Sequence, residues 1–169
     1  MFKFLLFTFI ILTFIPFNIS VPINGIDFNI LTRRQNVNNA CYVKAAKESA
    51  RSTTIVLINK SGTDLFYISS PLDHGIWTSG CDPSTTQIVP NGQSISFSNE
   101  SDGFATGDGG SVVYSIGSEA PPLTFTINWS NPFTGSNSYE VNFPQGSKYA
   151  YSAPFPPSGD NAYYEITIL

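Results

Sequence analysis

The chain is poor in most of the side chains that do chemistry: 169 residues contain one histidine, two cysteines, one methionine and only 12 % charged residues. Each shortage excludes something. A Ser-His-Asp triad would have to use His74, the single histidine, and no Gly-x-Ser-x-Gly elbow is present. Two cysteines without histidine partners do not make a zinc site. Neither a resident metal nor a cofactor is expected, and the chain does not read as an enzyme. Beyond the N-terminus no run is apolar enough to cross a bilayer as a helix.

Basic residues are scarce and unevenly placed. Residues 21–51 carry Arg33, Arg34, Lys44, Lys47 and Arg51 against Asp27 and Glu48, a net charge of +3. From Ser52 to Leu169 only Lys60 and Lys148 oppose ten acids, a net charge of −8. Such a domain is repelled by nucleic acid and by anionic lipid, both of which attract bases. No nucleic-acid partner is expected.

What is present begins with Lys3 and an apolar run from Phe4 to Phe17, the pattern of a secretory signal peptide over residues 1–20. Cleavage is expected near Ser20 or Val21, and the mature protein is expected to be secreted and extracellular. Residues 21–51 read as a basic extension or linker. Arg33-Arg34 is either a dibasic processing site or a solvated basic pair, and a short helix is expected within 39–51 with Tyr42, Val43, Ala46 and Ala50 on one side. In an oxidising compartment Cys41 and Cys81 are expected to pair, the alternative being two free thiols. Asn59 and Asn99 head Asn-x-Ser sequons and are candidate glycosylation sites, whereas Asn128, in a strand beside Trp129, ranks below them.

From residue 52 to 169 apolar residues recur with period two, interrupted by turn residues. Ten short strands are expected, among them 53–59, 64–70, 74–78, 94–98, 111–116, 123–129, 138–143 and 162–169. Lys60-Ser61-Gly62-Thr63 reads as the close of a first hairpin, and Asn91-Gly92 as a second. Many short strands without a long helix imply an all-β domain, an antiparallel β-sandwich.

Aromatic residues are abundant, at 14 % of the chain. Leu123, Phe125, Ile127 and Trp129 alternate as a strand with one buried face, and Pro132 and Gly135 then end it. Phe133 is left among Pro, Gly, Ser and Asn, where turns normally carry polar residues. It either projects as a contact surface or folds back on the core. The loop 102–110, Asp102-Gly103-Phe104-Ala105-Thr106-Gly107-Asp108-Gly109-Gly110, offers oxygen ligands but lacks the spacing of an EF-hand. Its glycines are expected to supply positive φ ahead of the next strand.

Three segments in register resemble the aegerolysin family: Thr54-Ile55-Val56-Leu57-Ile58-Asn59-Lys60-Ser61-Gly62, the stretch from Ser98 through Asp102-Gly103-Phe104 to Ser111, and Phe125 through Trp129-Ser130-Asn131-Pro132-Phe133 to Asn137. The resemblance implies a small β-sandwich that is not an enzyme. It implies recognition of a membrane sphingolipid, in some members followed by pore formation and hemolysis with a second, larger protein. On this chain it singles out His74, Trp77, Trp129, Phe133 and Tyr139 as lipid-binding residues. The leader and basic extension depart from the family pattern, as does the scarcity of bases near the site. The expected partner is a zwitterionic, sphingolipid-like membrane lipid, and the protein an effector or toxin component. A lectin-like or protein-binding β-sandwich, its rings stacked on sugar faces, is the alternative.

Overall fold

The computed structural model describes residues 40–153 and 159–169. The leader, most of the basic extension with Arg33-Arg34, and residues 154–158 lie outside them.

Helix α1 (Ala40–Glu48) precedes eleven strands among the described residues: β1 Ser52–Asn59, β2 Leu65–Ser69, β3 Leu72–His74, β4 Ile76–Trp77, β5 Ile88–Val89, β6 Ser94–Glu100, β7 Asp108–Ile116, β8 Leu123–Asn131, β9 Ser138–Asn142, β10 Tyr151–Ser152 and β11 Asn161–Ile168. One sheet runs β10-β11-β1-β6-β4, the other β5-β2-β7-β8-β9 with β3 added on β7. The two pack as an all-β sandwich. All pairs are antiparallel except β1 with β11, which run parallel over Ser52–Asn59 and Asn161–Ile168.

The alternation read from the sequence produces this core. In β8, Phe125, Ile127 and Trp129 are buried, and in β11 Ala162, Tyr164, Ile166 and Ile168 are. The β8 residues meet those of β11, together with Ile55, Leu57 and Phe97 from the same sheet as β11, in one hydrophobic cluster between the sheets. Burying each large side chain stabilises the fold by about 1.5–3 kcal/mol relative to exposure.

The two expected hairpins are arches instead. Lys60–Thr63 leaves β1 in one sheet and enters β2 in the other, and Asn91-Gly92 passes from β5 to β6, again between sheets. Turn chemistry supplies the reversal of direction but does not specify which sheet the chain joins next. Asn59 anchors the first arch: its Nδ2 donates to Thr63 O and Val89 O, each at 2.8 Å, and its Oδ1 accepts from Ser61 N and Oγ.

The disulfide forms. Cys41 of α1 is bonded to Cys81 in the loop after β4, with Cα atoms 5.8 Å apart and a sequence separation of 40. Closing a loop of that size stabilises the fold by about 4 kcal/mol in the chain-entropy picture. Ala45, one turn on from Cys41, is fully buried, whereas Val43 on the other side is 52 % exposed, so the buried face differs from the expected one.

Candidate functional site

A cleft of about 640 Å³ opens at one end of the sandwich, where the β3–β4 corner, the loop 101–107 and the turn after β8 converge. Leu72, Asp73 and His74 supply one wall, Asp102 and Thr106 a second, and Pro132 and Phe133 a third. Asp108 and Ser130 lie behind them on paired strands.

Glycines make the walls meet. Gly110 pairs with Leu72 across β7 and β3, and a Cβ there would stand 2.7 Å from Pro71 O and 3.0 Å from Leu72 Cα. A Cβ on Gly107 would stand 2.5 Å from Asn131 O and 2.8 Å from Pro132 Cα. Of the four glycines in the loop 102–110, only Gly103 has positive φ. The others are there for close approach of backbone to backbone, which corrects the expectation that they serve the turn.

Behind the cleft is a buried polar network that unites the extension, both sheets and the start of β11. Asp108 and Asn131 are opposite each other in the β7–β8 ladder, and Asn131 Nδ2 donates to Asp108 Oδ2 at 3.0 Å. The same amide nitrogen reaches Ser52 O at 3.0 Å and Asp160 O at 2.9 Å, so three acceptors share its two hydrogens. Arg51 closes the network: Nη1 donates to Asn131 Oδ1 at 3.1 Å, Nη2 lies 2.8 Å from Asp160 Oδ1, and the guanidinium carbon sits over the Phe133 ring, 5.4 Å from its centroid.

Asp108 is 2 % exposed, and desolvation pushes its carboxyl up to about 7. The Thr53 hydroxyl, the Asn131 amide and the Arg51 charge pull it down, and Glu100 adds to the rise. Thr53 acts through its dipole rather than a well-formed hydrogen bond, because Thr53 Oγ1 and Asp108 Oδ1 are both buried without a partner.

Of the five residues singled out for lipid contact, His74 and Phe133 line the cleft. His74 ends β3 and is exposed, and Phe133 is 49 % exposed at the rim despite Arg51 beneath it. Of the other three, Trp129 is in the interior and Trp77 and Tyr139 are partly buried against it. Trp129 is 4 % exposed and gives its Nε1 hydrogen to Asn99 Oδ1 at 2.9 Å, so it offers a ligand no surface. Trp77 is half-buried with its ring 6.2 Å from Phe97 and 6.0 Å from Trp129. Tyr139 sits on β9 opposite Trp129, its ring 5.1 Å from Tyr164 and its hydroxyl donating to Ala153 O at 3.4 Å.

The two preferred glycosylation sites are corrected by burial. Asn59 is fully buried and Asn99 is 1 % exposed, with both amide ends engaged in each. No room for a glycan remains at either. Asn128, ranked last in sequence, is the least buried of the three.

Two features of the site were not legible as such. Phe104 stands 99 % exposed at the tip of the loop 101–107, a large ring among Gly and small residues as Phe133 is. The partnership of Arg51, Asn131 and Asp160 spans 109 positions and has no local signal. Among the described residues no cluster of His, Cys, Asp and Glu is arranged to hold a metal ion.

Several solved structures share the fold, and two of them illustrate it. One is the lipid-binding protein Nakanori, with a TM-score of 0.58 and 18 % identity over 83 % of this chain and 84 % of that one. The other is IP-1A from Alcaligenes faecalis, with a TM-score of 0.57 and 20 % identity over 77 % of this chain and 96 % of that one. At such identities the likeness establishes architecture. No protein-family model matches the chain, and no curated protein matches it in sequence.

Proposed function

We propose that this protein is a secreted, non-enzymatic β-sandwich that binds a zwitterionic, sphingolipid-like membrane lipid through the cleft bearing His74 and Phe133. The observation that carries the reading is the composition of the rim. A half-exposed aromatic ring stands beside a cleft walled by Asp73, Asp102 and His74. Carboxylates and a ring favour the ammonium of a zwitterionic headgroup, and an imidazole beside them suits its phosphate. The ring itself suits the boundary between headgroup and acyl chain.

The charge of the domain argues for the same class of lipid. Residues 52–169 carry a net −8, which disfavours an anionic bilayer and leaves a neutral one as the natural target. The fold is shared with a protein described as lipid-binding, which supports the reading without identifying the lipid. The resemblance to the aegerolysins extends it: bound at the membrane, the protein would serve as the recognition half of a two-part pore-forming toxin, with a larger partner supplying the pore.

Co-sedimentation tests the reading. The mature protein should pellet with sphingomyelin–cholesterol vesicles and remain in the supernatant with purely anionic ones. Retention on immobilised glycans with no vesicle binding would instead favour a lectin-like module.

A further inference from the structure

We infer that the loop 101–107 is a second membrane contact, with Phe104 inserting into the bilayer beside the cleft. The inference rests on the lipid-binding reading and adds an element to it that neither the sequence patterns nor the cleft itself assigns.

Phe104 is the most exposed large apolar side chain among the described residues, at 99 % against 49 % for Phe133. Leaving such a ring in water forgoes the whole of its burial free energy, so its position is costly to the isolated protein. The backbone holds it there. Gly103 has φ +145° and Ala105 φ +56°, the latter being the one non-glycine residue with positive φ among those described. A left-handed alanine is disfavoured, and strain of this kind persists where the surroundings impose it. The turn is closed by Thr106 Oγ1, which donates to Gly103 O at 3.1 Å.

The loop is not independent of the site. Asp102, Thr106 and Gly107 line the same cleft as Phe133. Gly107 is also packed so closely on Asn131 and Pro132 that the two ring-bearing turns are fixed side by side. Two rings therefore leave the same end of the sandwich, on neighbouring turns that both line the cleft. A headgroup in the cleft would bring both rings to the depth of the upper acyl chains.

A bilayer fits this surface better than a protein does. A stable protein interface covers about 800 Å² on each partner around a well-packed centre. Phe104 is one ring on a narrow turn flanked by Asp102, Gly103 and Thr106, all exposed, with no apolar surround. A fluid bilayer needs no matching surface. It closes around a single inserted ring, and the polar flanks remain among headgroups.

The test uses the full mature protein and vesicles of sphingomyelin, cholesterol and phosphatidylcholine. Phe104→Ala should weaken binding by about tenfold or more, the scale expected from one ring, while Phe104→Leu keeps most of the affinity. In Phe104→Trp, tryptophan emission should shift to shorter wavelength on binding and be quenched by lipids labelled with doxyl groups on the upper acyl chain. Of the tryptophans already present, Trp129 is in the core and Trp77 is packed against it, and the wild-type protein serves as the control for both. If wild type binds vesicles while Phe104→Ala binds equally well and the Phe104→Trp emission does not respond, the loop is no membrane contact and the inference is overturned with the lipid reading intact. If wild type binds no vesicle at all, the lipid reading itself fails and takes the inference with it.

Discussion

Trp129 Nε1 donates to Asn99 Oδ1 across the interior, joining β8 of one sheet to β6 of the other by a buried hydrogen bond of 2.9 Å. The indole is surrounded by Phe97 and Trp77 at ring distances of about 6 Å, so nothing else there can take its hydrogen. Asn99 is held in turn by its Nδ2, which donates to His74 O at 3.4 Å. The core and one wall of the cleft are thus connected through one amide side chain.

Removing that amide should be costly. Asn99→Ala leaves the Trp129 N–H buried without an acceptor, a loss of about 1–3 kcal/mol. Urea denaturation of the variant should show that loss with an unchanged slope. For the same reason the folded protein, expressed through a glycosylating secretory pathway, should carry no glycan at Asn99 or Asn59, and intact-mass measurement before and after glycosidase treatment checks it. A glycan found at either residue would mean that the buried geometry is wrong there.

Reduction of the Cys41–Cys81 bond gives a second prediction. The double variant Cys41→Ser, Cys81→Ser should lose about 4 kcal/mol, and alkylation of the non-reduced wild type should modify neither thiol. Helix α1 should become the first element to exchange its amide hydrogens, because its packing on β1, β6 and β11 is modest and the covalent tie is gone.

Phe133 supplies a third. Its ring is about half exposed and its protein contacts include the Arg51 guanidinium, so Phe133→Ala should shift stability by little more than ~0.5 kcal/mol. Vesicle binding should fall well beyond what that change explains. An unfolded variant would show that the ring belongs to the core. Trp129→Ala provides the contrast, since it should cost about 3–5 kcal/mol and lose binding only through loss of the fold.

The sandwich was legible in the sequence because alternation reports burial directly: Phe125, Ile127 and Trp129 point inward one after another, as period two requires. The exchange of strands between sheets was not, because Lys60–Thr63 and Asn91-Gly92 have the same local chemistry in a hairpin and in an arch. The site was half legible. His74 and Phe133 reach the cleft, whereas Trp129 lies in the core and Trp77 and Tyr139 pack their rings against it. Sequence shows that a ring is present but not which face of the sheet receives it when neighbouring turns change sheet. Asp108 shows the same limit for charge. In sequence it stands in a Gly-rich loop as one of several candidate oxygen ligands, yet pairing with Asn131 in the ladder carries it into the interior.

The burial of Asp108 makes the last prediction. Its carboxyl stands near 7 in the folded protein against an ordinary value of 3.8, chiefly because desolvation penalises the charge. Between those values the folded chain holds a proton that the unfolded chain has released. Stability from this group is therefore complete at the acid end and is lost as pH rises toward 7, by at most about 4 kcal/mol. The other carboxylates contribute slopes of their own, so the comparison that isolates Asp108 is with Asp108→Asn. The amide stays neutral, its oxygen can still accept from Asn131, and its nitrogen can donate to the unpartnered Thr53 Oγ1. Urea midpoints measured from pH 4.5 to 8 should converge for the two proteins at the acid end and separate progressively above it, the variant being the more stable at pH 8. Parallel curves across the whole range would show that Asp108 does not change its protonation on folding.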